Sequence, residues 1–406
     1  MRGRRVVVTG MGAVSPFGEG VPAMYEGVRE NRCALSPLPE YKLEGLSCRV
    51  AGLVPPLQEK RIPRELRRSM SPMSIFACLA AWEALTNAGL GTRPEQRMGV
   101  AVGSTVGSPT MLHEFFEMFL REHSVESMRS TVFFKVMSHT VAANVALACG
   151  CAGRTLAPAA ACASGLMSLC LGYEAIAAGR EEMMLCGGAD EFHLLTSATF
   201  DRLGAASHSE DPDCASRPFD ADRTGIVCGE GAGIMLLESL ESAQARNAPI
   251  LAEIRGAAMS SSPGSIAQPD AAAIADCMRR TLDDAGVQPQ DVAYVNAHAT
   301  ATEFGDIAEG QAIEAVFGQS TPVSSFKGHL GHTMAASGAL ESILCVKMLQ
   351  DSTYFPTRGL QKTDARCGNL NYFYKHLHKP SGLVLKNSFA LGGCNCTIVF
   401  DRLSEN

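Results

Sequence analysis

The sequence predicts an α/β fold in which two halves meet near residue 250. Apolar runs with the composition of buried strands alternate with longer helical runs through most of the 406 residues. A polar stretch at residues 241–248 interrupts this alternation, which restarts at residue 250. The chain is longer than a usual single domain, and its hydrophobic content of 46% is ample for a large core. We therefore predict an α/β domain over residues 1–250 and a second over residues 251–406.

Each half contributes its own series of elements. In the first half, short apolar runs predict strands and longer runs predict helices, with strands at residues 6–8, 98–102, 182–186 and 233–237 and helices at residues 71–88 and 164–178. The second half begins with an apolar run at residues 250–255. It continues with a strand at residues 292–296 and helices at residues 270–285, 308–317 and 338–349.

Composition limits the class of protein. The net charge of −7 argues against general nucleic-acid binding. Fifteen cysteines in a chain of this size, with only three valines after the basic start and therefore no secretory apolar region, indicate reduced thiols and a cytoplasmic protein. Residues 155–173 carry no charge, but alanine, glycine, serine and cysteine dominate them. We therefore predict a buried helix there and no membrane span.

Cys162 is the strongest candidate nucleophile. It lies in the run PAAACASG at residues 158–165, where a segment of small residues passes into a predicted helix. The amide groups and dipole of a helix N-terminus favour a thiolate over a thiol, and they supply donors for an oxyanion. Since free cysteine is also a common core residue, this position alone does not establish catalysis.

Three later segments carry polar side chains next to glycines or at the end of a predicted strand. VNAHATAT at residues 295–302 carries His298, FKGHLGHTMAASG at residues 326–338 carries Lys327 and His332, and NSFALGGCN at residues 387–395 carries a glycine pair. With RVVVTGMG at residues 5–12, ASRPFD at 215–220 and GIVCGEGAG at 225–233, this ordered set closely resembles the elongating β-ketoacyl-acyl carrier protein synthases of the thiolase superfamily. The resemblance spans nearly the whole chain.

The resemblance implies a five-layered αβαβα sandwich of two similar halves. It also implies a decarboxylative Claisen condensation, in which Cys162 holds an acyl group and a malonyl thioester loses CO2 to form the attacking carbanion. His298 and His332 would donate to the enolate oxygen as neutral imidazoles, and Lys327 and Glu309 would belong to a buried network that sets their charge and orientation. The amides of Cys162 and Leu391 would form the oxyanion hole.

The resemblance further implies how substrates are bound. Thr300 and Thr302 would hold the pantetheine amides, and the acyl pocket would be gated by Phe200 and Leu391, with Phe389 beside them. No metal or dissociable cofactor is expected, because phosphopantetheine arrives on the acyl carrier protein. Arg64, Arg67 and Arg68, in the basic run at residues 60–68, are candidate contacts for that acidic carrier. The family also implies a dimer, either of identical chains or with a chain-length partner.

Four other motifs are weaker. Gly10 and Gly12 follow a strand, but the third glycine and the ribose-binding acid of a dinucleotide site do not follow at the required spacing. The glycines of residues 229–233 precede a strand and are better explained by close backbone packing. Cys149 with Cys151, and His329 with His332, lack the further ligands of a zinc site.

Several departures from the family pattern leave alternatives open. The usual HGTST run reads HATAT here, Ala160 stands where threonine or aspartate is common, and Ala390-Leu391 replaces a frequent Gly-Phe pair. A ketosynthase of a type II polyketide or aryl polyene pathway is therefore an alternative. A non-catalytic chain-length partner is disfavoured because such partners lack the nucleophile. A thiolase would use a cysteine such as Cys394 or Cys396 in place of one histidine.

Overall fold

The computed structural model describes residues 3–38, 45–124, 126, 130–379 and 382–403. Within these residues the strands are β1 Val6–Ser15, β2 Gly18–Glu19, β3 Ser36–Pro37, β4 Val50–Ala51, β5 Gly99–Gly103, β6 Thr155–Leu156, β7 Met183–Asp190, β8 Gly231–Ser239, β9 Ala252–Ser261, β10 Val292–Asn296, β11 Pro322–Ser324, β12 Thr353–Tyr354, β13 Asn371–Tyr372, β14 Leu377–His378, β15 Leu383–Phe389 and β16 Cys394–Asp401. The helices are α1 Val21–Arg29, α2 Arg64–Arg67, α3 Pro72–Asn87, α4 Pro109–Glu122, α5 Ser130–Val136, α6 Thr140–Cys149, α7 Ser164–Ala177, α8 Leu194–Arg202, α9 Pro212–Ala215, α10 Leu240–Ala245, α11 Ala271–Ala285, α12 Glu303–Phe317, α13 Lys327–Leu330 and α14 Ala335–Asp351.

Strands from both halves join in one mixed sheet. Its order is β13-β11-β10-β15-β16-β9-β1-β8-β7-β5-β6, with β2 paired to β1. The halves meet where residues 6–8 of β1 pair antiparallel with residues 252–254 of β9. Because this ladder is only three residue pairs long, the sheet can fold into two layers that face each other.

Helices complete the layers. Both α7 and α14 contact strands of the two halves and each other, so they form the central layer. The outer layers are α3 with α6 on the first half and α11 with α12 on the second. The structure confirms the predicted α/β class and the five-layered αβαβα sandwich.

Glycines allow the layers to approach closely. A Cβ atom added at Gly10 or Gly12 would lie about 2 Å from a carbonyl oxygen of α3. A Cβ atom added at Gly233 would lie 2.6 Å from the amide nitrogen of Leu340 in α14. These positions explain both glycine motifs by backbone packing, as predicted for residues 229–233.

Most predicted elements lie where expected, with differences at their ends. The strand at residues 292–296 matches β10, and the helix at residues 71–88 matches α3 within one residue at each end. The prediction for α12 was wrong at its start, because the helix begins at Glu303 rather than at residue 308. The charge-free segment is not one helix either: it contains β6 and a 3-10 turn, Ala161–Ala163, before α7 begins.

No single helix in the described part of the chain is long and apolar enough to cross a membrane. Two consecutive helices, α5 and α6, reach that length and composition only when taken together, and they meet at an angle of 103°.

Candidate active site

One cavity of about 260 Å³ gathers most of the predicted site. It lies between segments of the two halves, and its lining includes nine of the predicted residues: Cys162, Phe200, His298, Thr300, Thr302, Glu309, His332, Phe389 and Leu391. A larger cavity of about 360 Å³ lies at residues 363–374, but it contains none of the predicted catalytic side chains. We place the candidate active site in the smaller cavity because it brings together the nucleophile and both imidazoles.

A tight turn presents Cys162 at the start of α7. Ala161 has a φ of 45°, a conformation that L-residues rarely adopt and that recurs at functional turns. Ser164 holds this turn, because its Oγ accepts from the amide of Ala160 at 2.8 Å and donates to the carbonyl of Ala161 at 2.7 Å. Ser388 of β15 donates to the carbonyl of Cys162 at 3.2 Å, which joins the turn to the second half.

Burial opposes the effect of the helix N-terminus, which by itself favours a thiolate at Cys162. Burial raises the pKa of the Cys162 thiol to about 12, although the positive charge of Lys327 opposes this effect. Desolvation therefore favours the protonated thiol over the thiolate. Its proton must leave as the sulfur attacks an acyl group.

The two histidines lie together as neutral imidazoles. Their ring centroids are 5.2 Å apart and the ring planes are inclined at 84°. The Nδ1 of His332 lies 2.8 Å from the Oγ of Ser337, whereas its buried Nε2 has no partner among the described residues. Burial, and then the charge of Lys327, hold the pKa of His298 and of His332 well below the ordinary range. Unprotonated imidazoles can each present one N–H donor to a substrate oxygen.

Glu309 positions the backbone beside His298 rather than the imidazole itself. Its two carboxylate oxygens accept from the amides of His298 at 2.8 Å and Ala299 at 2.7 Å. Asn387 adds a third bond, from Nδ2 at 3.2 Å.

Lys327 does not line the cavity. It belongs to a buried network of charged side chains, two of which were not predicted from the sequence. Its Nζ donates to Glu341 at 2.7 Å, and Lys386 lies 2.6 Å from the other oxygen of the same carboxylate. Both partners were missed. The available signal was Glu341 within a run of small and apolar residues and Lys386 directly after three apolar strand residues, since buried charges need partners.

The two predicted gate residues, Phe200 and Leu391, lie in different parts of the cavity. Phe200 packs with Cys162, Ile226 and Met334, forming an apolar wall beside the sulfur. Leu391 is 44% exposed at the cavity mouth. Positive φ angles in its loop fall on Gly392 and Gly393, so the Ala390-Leu391 pair needs no strained backbone.

The two threonines of the second half share a hydrogen bond. The hydroxyls of Thr300 and Thr302 lie 3.0 Å apart at the cavity wall. The cysteines that a thiolase would require are elsewhere, because Cys394 and Cys396 belong to β16 and neither lines this cavity. Among the described residues, no group of three His, Cys, Asp or Glu side chains could hold a metal ion.

The three candidate docking arginines differ in accessibility. Arg64 and Arg68 are exposed, while Arg67 is half-buried and its Nε donates to the carbonyl of Ile62 at 2.9 Å. Arg67 therefore has a structural role in α2, and Arg64 and Arg68 are the pair available to a partner.

Comparison with known proteins identifies the family. Residues 3–243 match the N-terminal domain of β-ketoacyl synthases, and residues 251–361 match the C-terminal domain. The chain belongs to the β-ketoacyl synthase family. It is therefore a condensing enzyme of the acyltransferase class.

This β-ketoacyl synthase has relatives of similar length. It is 33% identical over 407 residues to nodulation protein E of a Rhizobium species, covering 98% of this chain and 100% of that protein. It is also 33% identical over 415 residues to 3-oxoacyl-[acyl-carrier-protein] synthase 2 of Vibrio cholerae, covering 99% and 100%.

Solved structures agree with the fold. A β-ketoacyl synthase from Burkholderia phymatum has a TM-score of 0.95 at 38% identity, covering 99% of this chain and 100% of that chain. The ishigamide ketosynthase/chain length factor gives 0.92 at 32% identity, and a ketosynthase in complex with a type II polyketide acyl carrier protein gives 0.90 at 29%. Each of the last two alignments covers 99% of this chain and 100% of the other.

Proposed function

We propose that this enzyme elongates fatty acyl chains by condensing an acyl group on Cys162 with a malonyl thioester of an acyl carrier protein. The observation that carries the proposal is the cavity itself, in which one buried thiol faces two buried, neutral imidazoles. Relatives named 3-oxoacyl-[acyl-carrier-protein] synthase support the same reaction.

The first half-reaction is a thioester exchange. The Cys162 sulfur attacks the acyl carbonyl, and the carbon–sulfur bond to the carrier breaks. Because the pKa of Cys162 is raised, the thiol proton is transferred during attack and ends on the departing carrier thiol. The amides of Cys162 and Leu391 are the proposed donors to the tetrahedral oxyanion.

The second half-reaction needs no strong base. The malonyl thioester loses CO2, and the electron pair of the broken bond becomes an enolate. His298 and His332 stabilise the enolate oxygen through their N–H groups, which is why neutral imidazoles suit the step. The carbanion attacks the acyl-cysteine carbonyl, the Cys162 sulfur leaves, and it takes up one proton to restore the thiol.

Release of CO2 tests the proposal. The purified protein should release one CO2 from malonyl-carrier protein for each 3-oxoacyl product when an acyl carrier thioester is supplied. A thiolase would instead join two acetyl thioesters without CO2. No condensation with any saturated or polyene acyl donor, in the presence of malonyl-carrier protein, would contradict the proposal.

A secondary-pathway ketosynthase is the alternative. Its support is the likeness to the ishigamide and type II polyketide structures, together with the Leu391 loop at the cavity mouth. Rates with a series of saturated and polyene acyl carrier thioesters distinguish the two functions. A preference for polyene chains indicates the secondary pathway, and a preference for saturated chains indicates elongation.

We also propose that the enzyme is a homodimer. Large apolar side chains stand exposed on two neighbouring helices, and only Met111 of α4 is buried. They are Phe116, Phe119 and Leu120 of α4 with Phe133 and Phe134 of α5. A second copy would cover this surface, because soluble proteins rarely leave such a patch exposed. Sedimentation equilibrium of the purified chain measures the assembly, and a stable monomer would refute it.

A cytoplasmic location is proposed from the thiols. None of the fifteen cysteines forms a disulfide bond, and most of them are buried. This number of free thiols is typical of proteins in a reducing compartment. Cell fractionation tests the location.

Arg64 and Arg68 are the proposed docking contacts for the acidic carrier. Reversing both charges, in Arg64→Glu/Arg68→Glu, should raise KM for acyl-carrier protein by about tenfold, because steering charges act on encounter. Turnover of an acyl-pantetheine thioester should not change. The matched control reverses Arg279 and Arg280, two exposed arginines of α11. Equal effects of the two double variants would contradict specific docking.

A further inference from the structure

Lys386 is a buried cation to which the reaction described above assigns no role. It lies in the central strand β15 and its side chain is 0% exposed. The surrounding strand is apolar apart from its end, so the local sequence does not account for an ammonium group here. Such a group remains in a sheet interior only when other charges compensate it.

Four buried charges form a connected network around Lys386. Its Nζ lies 2.6 Å from one oxygen of Glu341, an ion pair by distance although no hydrogen bond forms at that oxygen, and Lys327 occupies the other oxygen at 2.7 Å. Lys386 also donates to the carbonyl of Asn387, whose side chain donates to Glu309. Burial raises the pKa of Glu309, but both of its oxygens accept N–H bonds, which favours the ionised carboxylate. Two ammonium groups therefore balance two carboxylates.

The network lies beside both imidazoles. After burial and Lys327, the charge of Lys386 contributes to lowering the pKa of His298 and of His332. The ionisable groups that face the imidazoles or this network include Cys162, Asp190, Tyr294, Asp306, Glu309, Lys327, Glu341, Cys345, Tyr372 and Lys386. Without Lys386, Glu341 and Glu309 would face a single cation, and the resulting net negative charge would attract a proton to an imidazole.

We propose that Lys386 is a positioning residue of the condensing site, whose charge balances the buried network so that His298 and His332 stay uncharged donors. This inference rests on the proposed function. It adds Lys386 to Lys327 as a second cation of the site, because both cations are needed to neutralise the two carboxylates.

A charge series tests the proposal through the pH dependence of malonyl-pantetheine decarboxylation. All variants carry Cys162→Ala, so acyl transfer does not enter. In Lys386→Met the midpoint of the acid limb should move up by about one pH unit, the shift expected for a charge at this range, and at any pH on that limb the rate should fall by roughly tenfold. Glu341→Gln should not raise the midpoint of the acid limb, because this variant leaves the network with excess positive charge.

The double variant Lys386→Met/Glu341→Gln restores neutrality and should return the midpoint toward that of the parent. If Lys386 has only a structural role, all three variants should be slower, but the midpoints of their acid limbs should not follow the net charge of the network. Identical midpoints in the parent and in Lys386→Met would overturn the proposal.

Folding and the underlying reaction have separate readouts. Circular dichroism and thermal unfolding report whether each variant folds, and Lys386→Gln replaces Lys386→Met if the methionine variant does not. NMR titration of labelled histidines should show the imidazole midpoints rising in the folded variant, and unchanged midpoints refute the inference. If the parent itself releases no CO2, the proposed function fails; if it releases CO2 and the midpoints do not move, only the role of Lys386 fails.

Discussion

Cys162→Ala should form no acyl adduct and should lose condensation by at least roughly 10⁴-fold, the scale seen when an enzyme nucleophile is removed. The reason is that the covalent thioester cannot form, and no other thiol lines the cavity. Intact mass after incubation with acyl-carrier protein measures the adduct, and product formation measures the rate. Decarboxylation of malonyl thioester should persist, because that step depends on the imidazoles.

Cys228→Ala is the matched control for Cys162→Ala. Cys228 is also buried, and its thiol belongs to the same apolar cluster as Cys162, but it does not line the cavity. This variant should still carry one acyl group per chain. Loss of the adduct in Cys228→Ala alone, or its persistence in Cys162→Ala, would assign the nucleophile to a different residue.

His332→Ala should slow decarboxylation by about a hundred to a thousand-fold, the cost of removing one donor to a developing oxyanion. Its Nδ1 is held by Ser337, and its Nε2 is the buried atom without a protein partner, so the ring is oriented to donate into the cavity. Acylation of Cys162 should continue, which separates this variant from a general collapse of the site. The rate of CO2 release from malonyl-carrier protein is the measurement.

His329→Ala provides the control for His332→Ala. His329 lies three residues earlier and is equally buried, yet it does not line the cavity. Its removal should lower the melting temperature and leave decarboxylation within a few-fold of the wild type. Equal losses in the two variants would show that His332 acts through packing rather than through its donor.

Local patterns were sufficient for most of the fold. The strand β10 and the helix α3 follow from apolar runs whose periodicity is set by the backbone itself, so neighbours along the chain determine them. The start of α12 was not predictable in this way. Residues 303–307 include an exposed phenylalanine and a glycine, and Asp306 stabilises this first turn by accepting from the amides of Phe219 and Ala301, one of them far away in sequence.

The sequence by itself determined which catalytic candidates line the cavity, because Cys162, His298 and His332 lie in short motifs whose order and spacing identify the family. Only the tertiary structure decided their electrostatic state. Burial raises the pKa of the Cys162 thiol, and the pairing of Glu341 with both Lys327 and Lys386 joins residues that are far apart in the chain. Desolvation and the partners of a buried charge depend on every segment that packs around it, and that information is absent from a local pattern.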